Sequence, residues 1–209
     1  MRRYINLMII ILAIPLCANT CTSCKKENPT YRLDPIFREY VIFPIGSYWV
    51  YKEINLGKTD SLYLDNQTIN VTDKLYKYKS EFARQAFNSS YNQIGFVGWC
   101  YATDTTSSSI SYYKEQLRIS ETGIDKVFFK GKIGEDFELG GSTITKYEAL
   151  YDTLSVNKVV YNQVRVYTIL KQSFDKQTKR VYYAKNVGLI KKELFNGEVW
   201  ELKRYFINK

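Results

Sequence analysis

Histidine is absent from all 209 residues. Its absence removes Ser-His and Cys-His catalytic pairs, zinc or haem held by imidazole, and any imidazole pH switch. Cysteine is nearly as scarce: three of the 4 stand at positions 17, 21 and 24, so Cys100 is the lone thiol of the remaining chain and the fold is not expected to rest on disulfides. Proline numbers 4 and glycine 11, against 19 tyrosines and 11 phenylalanines. A proline-poor, tyrosine-rich chain favours strands, where aromatic side chains fit a pleated, half-buried surface. The clearest apolar run, Leu7 to Leu16, has ten residues. That is half of the about 20 a membrane-spanning helix needs.

That run instead has the layout of a secretory signal, with Arg2 and Arg3 ahead of it and the polar stretch CANTCTSCKKEN behind it. The segment resembles a bacterial lipoprotein signal, in which cleavage falls just before a cysteine that carries the lipid. Thr22 and Ser23 give Cys24 the small preceding residues this pattern asks for. Asn19 and Thr20 before Cys21, and Pro15 and Leu16 before Cys17, fit it less well. Lipidation is therefore expected at Cys24, with Cys21 the alternative. The expected organisation is a cleaved signal over 1–23, a tether over 24–42 containing Pro29 and Pro35, and one domain over 43–209.

The charge of the chain is uneven. From Asn157 to Lys209 there are 12 Lys/Arg against 4 Asp/Glu, whereas Cys24 to Val156 carries 16 against 17. Clustered cations invite an anionic partner such as a lipid headgroup or acidic glycan. Here they alternate with apolar residues in strand-like runs, which describes a solvated sheet face, and nucleic acid is not an expected target.

Ser47 to Leu56 reads as the first clear strand, with Tyr48, Val50, Ile54 and Leu56 on one face and Trp49 and Tyr51 on the other. Pro44-Ile45-Gly46 starts it. Gly57 to Asp60 reads as a turn into Ser61 to Val71, which is expected to bend near Asp65-Asn66. Asp73 to Phe87 carries Leu75, Tyr78, Phe82, Ala83 and Ala86 at helical spacing, and is read as the one possible short helix. Eight further strands follow, at 94–102, 110–119, 126–130, 143–154, 158–170, 180–184, 189–195 and 199–207. Turn chemistry separates them, including the hairpin signal Asn196-Gly197. The expected fold is mainly β, an antiparallel meander of about ten strands. Along the last strand, Trp200, Leu202 and Phe206 share one face with Arg204 between them, and Trp200 and Leu202 are expected to face the core.

Two stretches carry a resemblance: Pro44-Ile45-Gly46-Ser47-Tyr48-Trp49-Val50-Tyr51, and Tyr182-Tyr183-Ala184-Lys185-Asn186-Val187-Gly188-Leu189-Ile190-Lys191. They look like the opening and closing signatures of a broad group of uncharacterised Bacteroidota envelope lipoproteins, and Val159 to Val164 resembles their central hairpin. The resemblance implies a single strongly curved antiparallel sheet, a half-barrel, with a two-sheet β-sandwich as the alternative, in a domain anchored to the outer membrane by lipid and facing the periplasm or the cell surface. It brings no catalytic residues. Trp49, Tyr51 and Tyr183 read as core, and Gly188 as a position of positive φ or a bulge.

Candidate chemistry is thin. Cys100, between Trp99 and Tyr101, reads as a small buried hydrophobe. The cluster Glu135-Asp136-Phe137-Glu138 lacks the ligand spacing of a calcium loop and reads as a charged loop tip. The carboxylate pairs Asp60 with Asp65 and Glu135 with Glu138 would need to lie within about 5 to 10 Å of each other to cleave sugars. Lys74 to Lys79 alternates lysine with tyrosine as an amphipathic edge. No metal, cofactor or catalytic residue is expected. The leading expectation is a non-enzymatic protein that binds an apolar ligand or a protein partner through the curved sheet. The alternatives are a structural subunit of a surface assembly, or a carboxylate-dependent hydrolase or glycan-processing accessory.

Overall fold

A computed structural model describes residues 30–75, 78–89, 95–102, 108–114, 125–129, 132–139, 143–170 and 178–209. The signal segment and all three early cysteines, Cys24 and Cys21 among them, lie outside the described residues.

Helix α1, Pro35–Val41, opens the compact part of the chain, preceded by the short strand β1, Thr30–Tyr31. Asp34 caps α1, its Oδ1 accepting from the amides of Ile36 at 2.6 Å and Phe37 at 3.4 Å, and Pro35 follows at the first helical position. An Asp-Pro pair suits a helix start, because the carboxylate satisfies orphan donors and proline has no amide to lose. The stretch expected to be a tether therefore folds in its second half: Leu33, Phe37, Tyr40 and Val41 are all buried.

Twelve strands follow: β2 Tyr48–Glu53, β3 Thr59–Leu75, β4 Tyr78–Ser89, β5 Gly95–Ala102, β6 Ser108–Lys114, β7 Asp125–Phe129, β8 Asp136–Leu139, β9 Thr143–Val156, β10 Val159–Ile169, β11 Thr178–Ala184, β12 Gly188–Leu194 and β13 Val199–Phe206. They form one sheet in the order β7-β6-β5-β4-β3-β2-β13-β12-β11-β10-β9-β8. Two meanders, β2 to β7 and β8 to β13, are thus joined through the antiparallel pairing of β2 with β13. All pairings along this path are antiparallel, and β1 adds a parallel pair to β4, Thr30 opposite Lys79. β7 comes against β9 without pairing with it, so the sheet curls strongly but does not close. The curved-sheet expectation holds, and the sandwich is not needed.

The expected helix over Asp73 to Phe87 is instead a hairpin, with its arms in β3 and β4. The helical spacing misleads because the true inward residues of β4 are Glu81, Ala83 and Gln85, at period two, and two of the three are polar. α1 satisfies both. Glu81 accepts from the amide of Leu33 at 2.9 Å and from Arg38 at 2.5 Å, and Gln85 Nε2 donates to the carbonyl of Val41 at 2.8 Å. Buried polar groups paired in this way cost little, and they disguise a core-facing strand as an exposed one.

The bend expected near Asp65-Asn66 is a register shift between Leu64 and Asn66. Ile54 and Leu56, expected on the face of Tyr48, sit in the β2–β3 turn and are exposed. In β13 a shift between Leu202 and Arg204 changes the face of everything after it. Trp200 and Leu202 are buried as expected, but Phe206 is 49% exposed and Arg204 leaves the apolar side. A bulge thus removes the charge that strict alternation would have put in the core. Asn196-Gly197 does lie in a hairpin, with Gly197 at φ 87 closing the loop.

Two clusters make the core. Leu33, Phe37, Tyr40 and Val41 pack with Ala83, Tyr147, Tyr167, Val181 and Tyr183, so α1 fills the hollow of its own sheet. Burial of one such side chain contributes about 1.5 to 3 kcal/mol. The second cluster is built on Phe43, Trp49, Tyr51, Val164, Ile190, Trp200 and Leu202, among others. Trp49, Tyr51 and Tyr183 are accordingly core residues, as read from sequence.

Candidate functional site

Three arrangements stand out. The first joins the two signature stretches. Trp49 Nε1 donates to the carbonyl of Val187 at 2.6 Å, and the Tyr51 hydroxyl donates to that of Leu189 at 2.8 Å. Phe43 meets Trp49 edge-on at 5.1 Å. Gly188 has φ 94, as its reading required, and a Cβ there would lie 3.0 Å from the Phe43 ring. These contacts are packing: every polar end is spent on backbone, and burial raises the Tyr51 hydroxyl well above its ordinary range, so it stays protonated.

The second is a polar ladder across five strands. Arg180 on β11 binds Glu148 on β9 at 2.9 Å and Glu193 on β12 at 3.5 Å, while its Nε also donates to Thr168 on β10 at 3.3 Å. The Tyr182 hydroxyl donates to Glu193 at 2.9 Å, and Lys191 reaches Glu193 at 3.4 Å and Glu201 on β13 at 3.6 Å. Burial, and then the bond to Glu193, push Tyr182 up to about 12. Each cation here has carboxylates, and the phenol is too weak an acid to act as a nucleophile near neutral pH. The ladder clamps strands together.

The third is an aromatic row on the face opposite Trp49, half-buried at Tyr48 and exposed at its two ends. Phe206, Tyr48 and Tyr63 are paired directly across β13, β2 and β3. The Tyr48 and Phe206 rings stack at 5.8 Å, Tyr63 is 45% exposed, and Lys52, two positions from Val50 on that face, is also exposed. Exposed tyrosine and phenylalanine beside cations have the composition of a contact surface.

The other sequence candidates do not converge. Glu135 is exposed and accepts from the amide of Lys132, while Asp136 begins β8 and pairs with Lys146 at 3.9 Å. The expected loop tip is therefore partly strand. Among the described residues no group of three or more acids, cysteines or histidines could hold a metal. Cys100 pairs in register with Ala83 and Ile110, and its side chain lies outside the described part, as do the side chains of Lys74 to Lys79. Sequence reading missed Glu53, buried in β2, whose carboxylate accepts from the amide of Leu56 and is held below its ordinary range chiefly by that bond. It organises the β2–β3 turn. No family model, curated protein or solved structure matches the chain.

Proposed function

We propose that the chain is a non-enzymatic, lipid-anchored domain of the bacterial cell envelope, held to the outer membrane through Cys24, that binds a protein partner by the exposed face of its curved sheet. The observation that carries this reading is the position of α1. Phe37, Tyr40 and Val41 occupy the hollow in which a half-barrel would take an apolar ligand, which favours the protein partner over the ligand. The row Phe206, Tyr48 and Tyr63 supplies an aromatic contact surface on the other side, with Lys52 and Arg204 as its cationic neighbours. Only six positions separate Cys24 from Thr30, which is already paired on β4. Such an anchor allows about 20 Å of reach. The domain therefore works against the membrane surface, and its partner is resident there or on the same side.

Photo-crosslinking in the native host tests this. A photoreactive phenylalanine analogue at position 63 or 206 is expected to trap one protein at both positions, and at neither once Tyr48→Glu disrupts the row. Absence of adducts at both, together with a small apolar molecule retained in native mass spectrometry, would restore the ligand reading.

A further inference from the structure

Arg165 is a half-buried arginine with no acid beside it among the described residues. Arg38 has Glu81, and Arg180 has Glu148 and Glu193. Arg165 sits in the middle of β10, between Leu150 on β9 and Tyr183 on β11. Among the described residues no carboxylate pairs with it; its Nε is enclosed without a hydrogen-bond partner, and the guanidinium otherwise meets only the Tyr167 hydroxyl. Tyrosines surround it instead: its guanidinium carbon lies 5.1 Å from the ring centre of Tyr40, on α1, and 5.6 Å from that of Tyr147, with Tyr167 as the neighbouring phenol. Ring faces attract a cation but do not neutralise it.

Nor can these phenols become its counter-ion. Burial raises the Tyr167 hydroxyl far above its ordinary range and raises Tyr147 as well, although Arg165 pulls the other way. The Tyr40 hydroxyl is already committed to the carbonyl of Gln163 at 2.9 Å. A guanidinium that keeps its full charge in a partly buried, aromatic setting is suited to an oxyanion presenting two oxygens, which it grips through two parallel N–H bonds. Of its two cross-strand neighbours Leu150 is 38% exposed and Tyr183 2% exposed, so the β9 flank is the more open one.

We propose that Arg165 anchors a binding site for a carboxylate or phosphate group, roofed by Tyr40 of α1 and walled by Tyr147 and Tyr167. The site is separate from the aromatic row, so it stands or falls independently of the partner reading. Two sources share this chemistry, a free small oxyanion and an anionic lipid headgroup. Occupancy would tighten α1 onto the sheet, since the helix supplies one of the rings.

Thermal melts of the full chain in neutral detergent decide the matter. Sodium phosphate and sodium acetate are compared with sodium chloride at equal ionic strength, and phosphatidylglycerol bicelles with phosphatidylcholine ones. A rise with phosphate or acetate assigns a free oxyanion, and a rise with phosphatidylglycerol alone assigns a headgroup. In either case Arg165→Met should abolish the rise, Arg180→Met should keep it, and Arg165→Lys, which keeps the charge but loses the fork, should weaken binding about tenfold. No rise with any anion, or an equal rise in Arg165→Lys, overturns the proposal. Should Arg165→Met fail to fold, the lysine variant carries the comparison.

Discussion

The indole of Trp49 donates a hydrogen bond to the carbonyl of Val187, 138 positions further along the chain. The two signature stretches are therefore one structural unit, and a change in either should be felt in the other. Trp49→Phe keeps most of the apolar volume but leaves that buried carbonyl unsatisfied, a loss of about 1 to 3 kcal/mol. Urea unfolding followed by circular dichroism measures it, and a cost below about 0.5 kcal/mol, the level of ordinary surface changes, would mean the bond is dispensable.

Gly188 and Gly197 offer a matched pair, with φ 94 and φ 87, but only the first has neighbours within 4 Å of a would-be Cβ. Both alanine variants meet the backbone penalty of positive φ, about 1 to 2 kcal/mol. Gly188→Ala must also push the Phe43 ring aside, so it should melt clearly lower than Gly197→Ala. Equal melts would disprove the close packing of Phe43 on this turn.

Acid should loosen α1 first. Burial alone would raise the Glu81 carboxyl, but its bonds from Arg38 and the Leu33 amide outweigh that and hold it below 4.5. A depressed carboxylate lends stability above its unfolded value and loses it as pH falls through the lower folded value. The melting temperature should therefore drop as pH falls below the ordinary carboxylate range, with a slope that Glu81→Gln reduces to the share left by Glu53, and Glu81→Gln should also be less stable at neutral pH. An unchanged acid slope in Glu81→Gln would place the sensitivity elsewhere.

On the proposed anchoring, Cys24→Ala should abolish incorporation of labelled palmitate in the native host and release the protein into the soluble fraction. Full labelling of the variant would move the lipid to Cys21 or Cys17.

Much of the sheet was legible because its strands are regular where one face is buried. Trp49, Tyr51, Trp200 and Leu202 follow the period-two rule, and all four are buried. What escaped did so where alternation is broken or the inward residues are polar. Arg204 and Phe206 lie beyond a bulge, which shifts faces without a compositional mark. Glu81 and Gln85 face inward because α1 supplies their partners, and a strand read alone cannot reveal a partner some 40 positions away. The aromatic row and Arg165 depend on register across several strands, which is information no single stretch of sequence holds.

The pairing of β2 with β13 places the last strand in the middle of the sheet, six strands from one edge and five from the other. Loss of 199–209 would therefore not trim an edge but cut the sheet in two, exposing a row of unpaired backbone groups on each half. During synthesis the first meander can emerge and form hairpins, yet the seam cannot close until β13 arrives. Chains dominated by such distant pairings fold slowly. The seam thus keeps the sheet unfinished, and open to a holding chaperone, until residues 199–206 have been made.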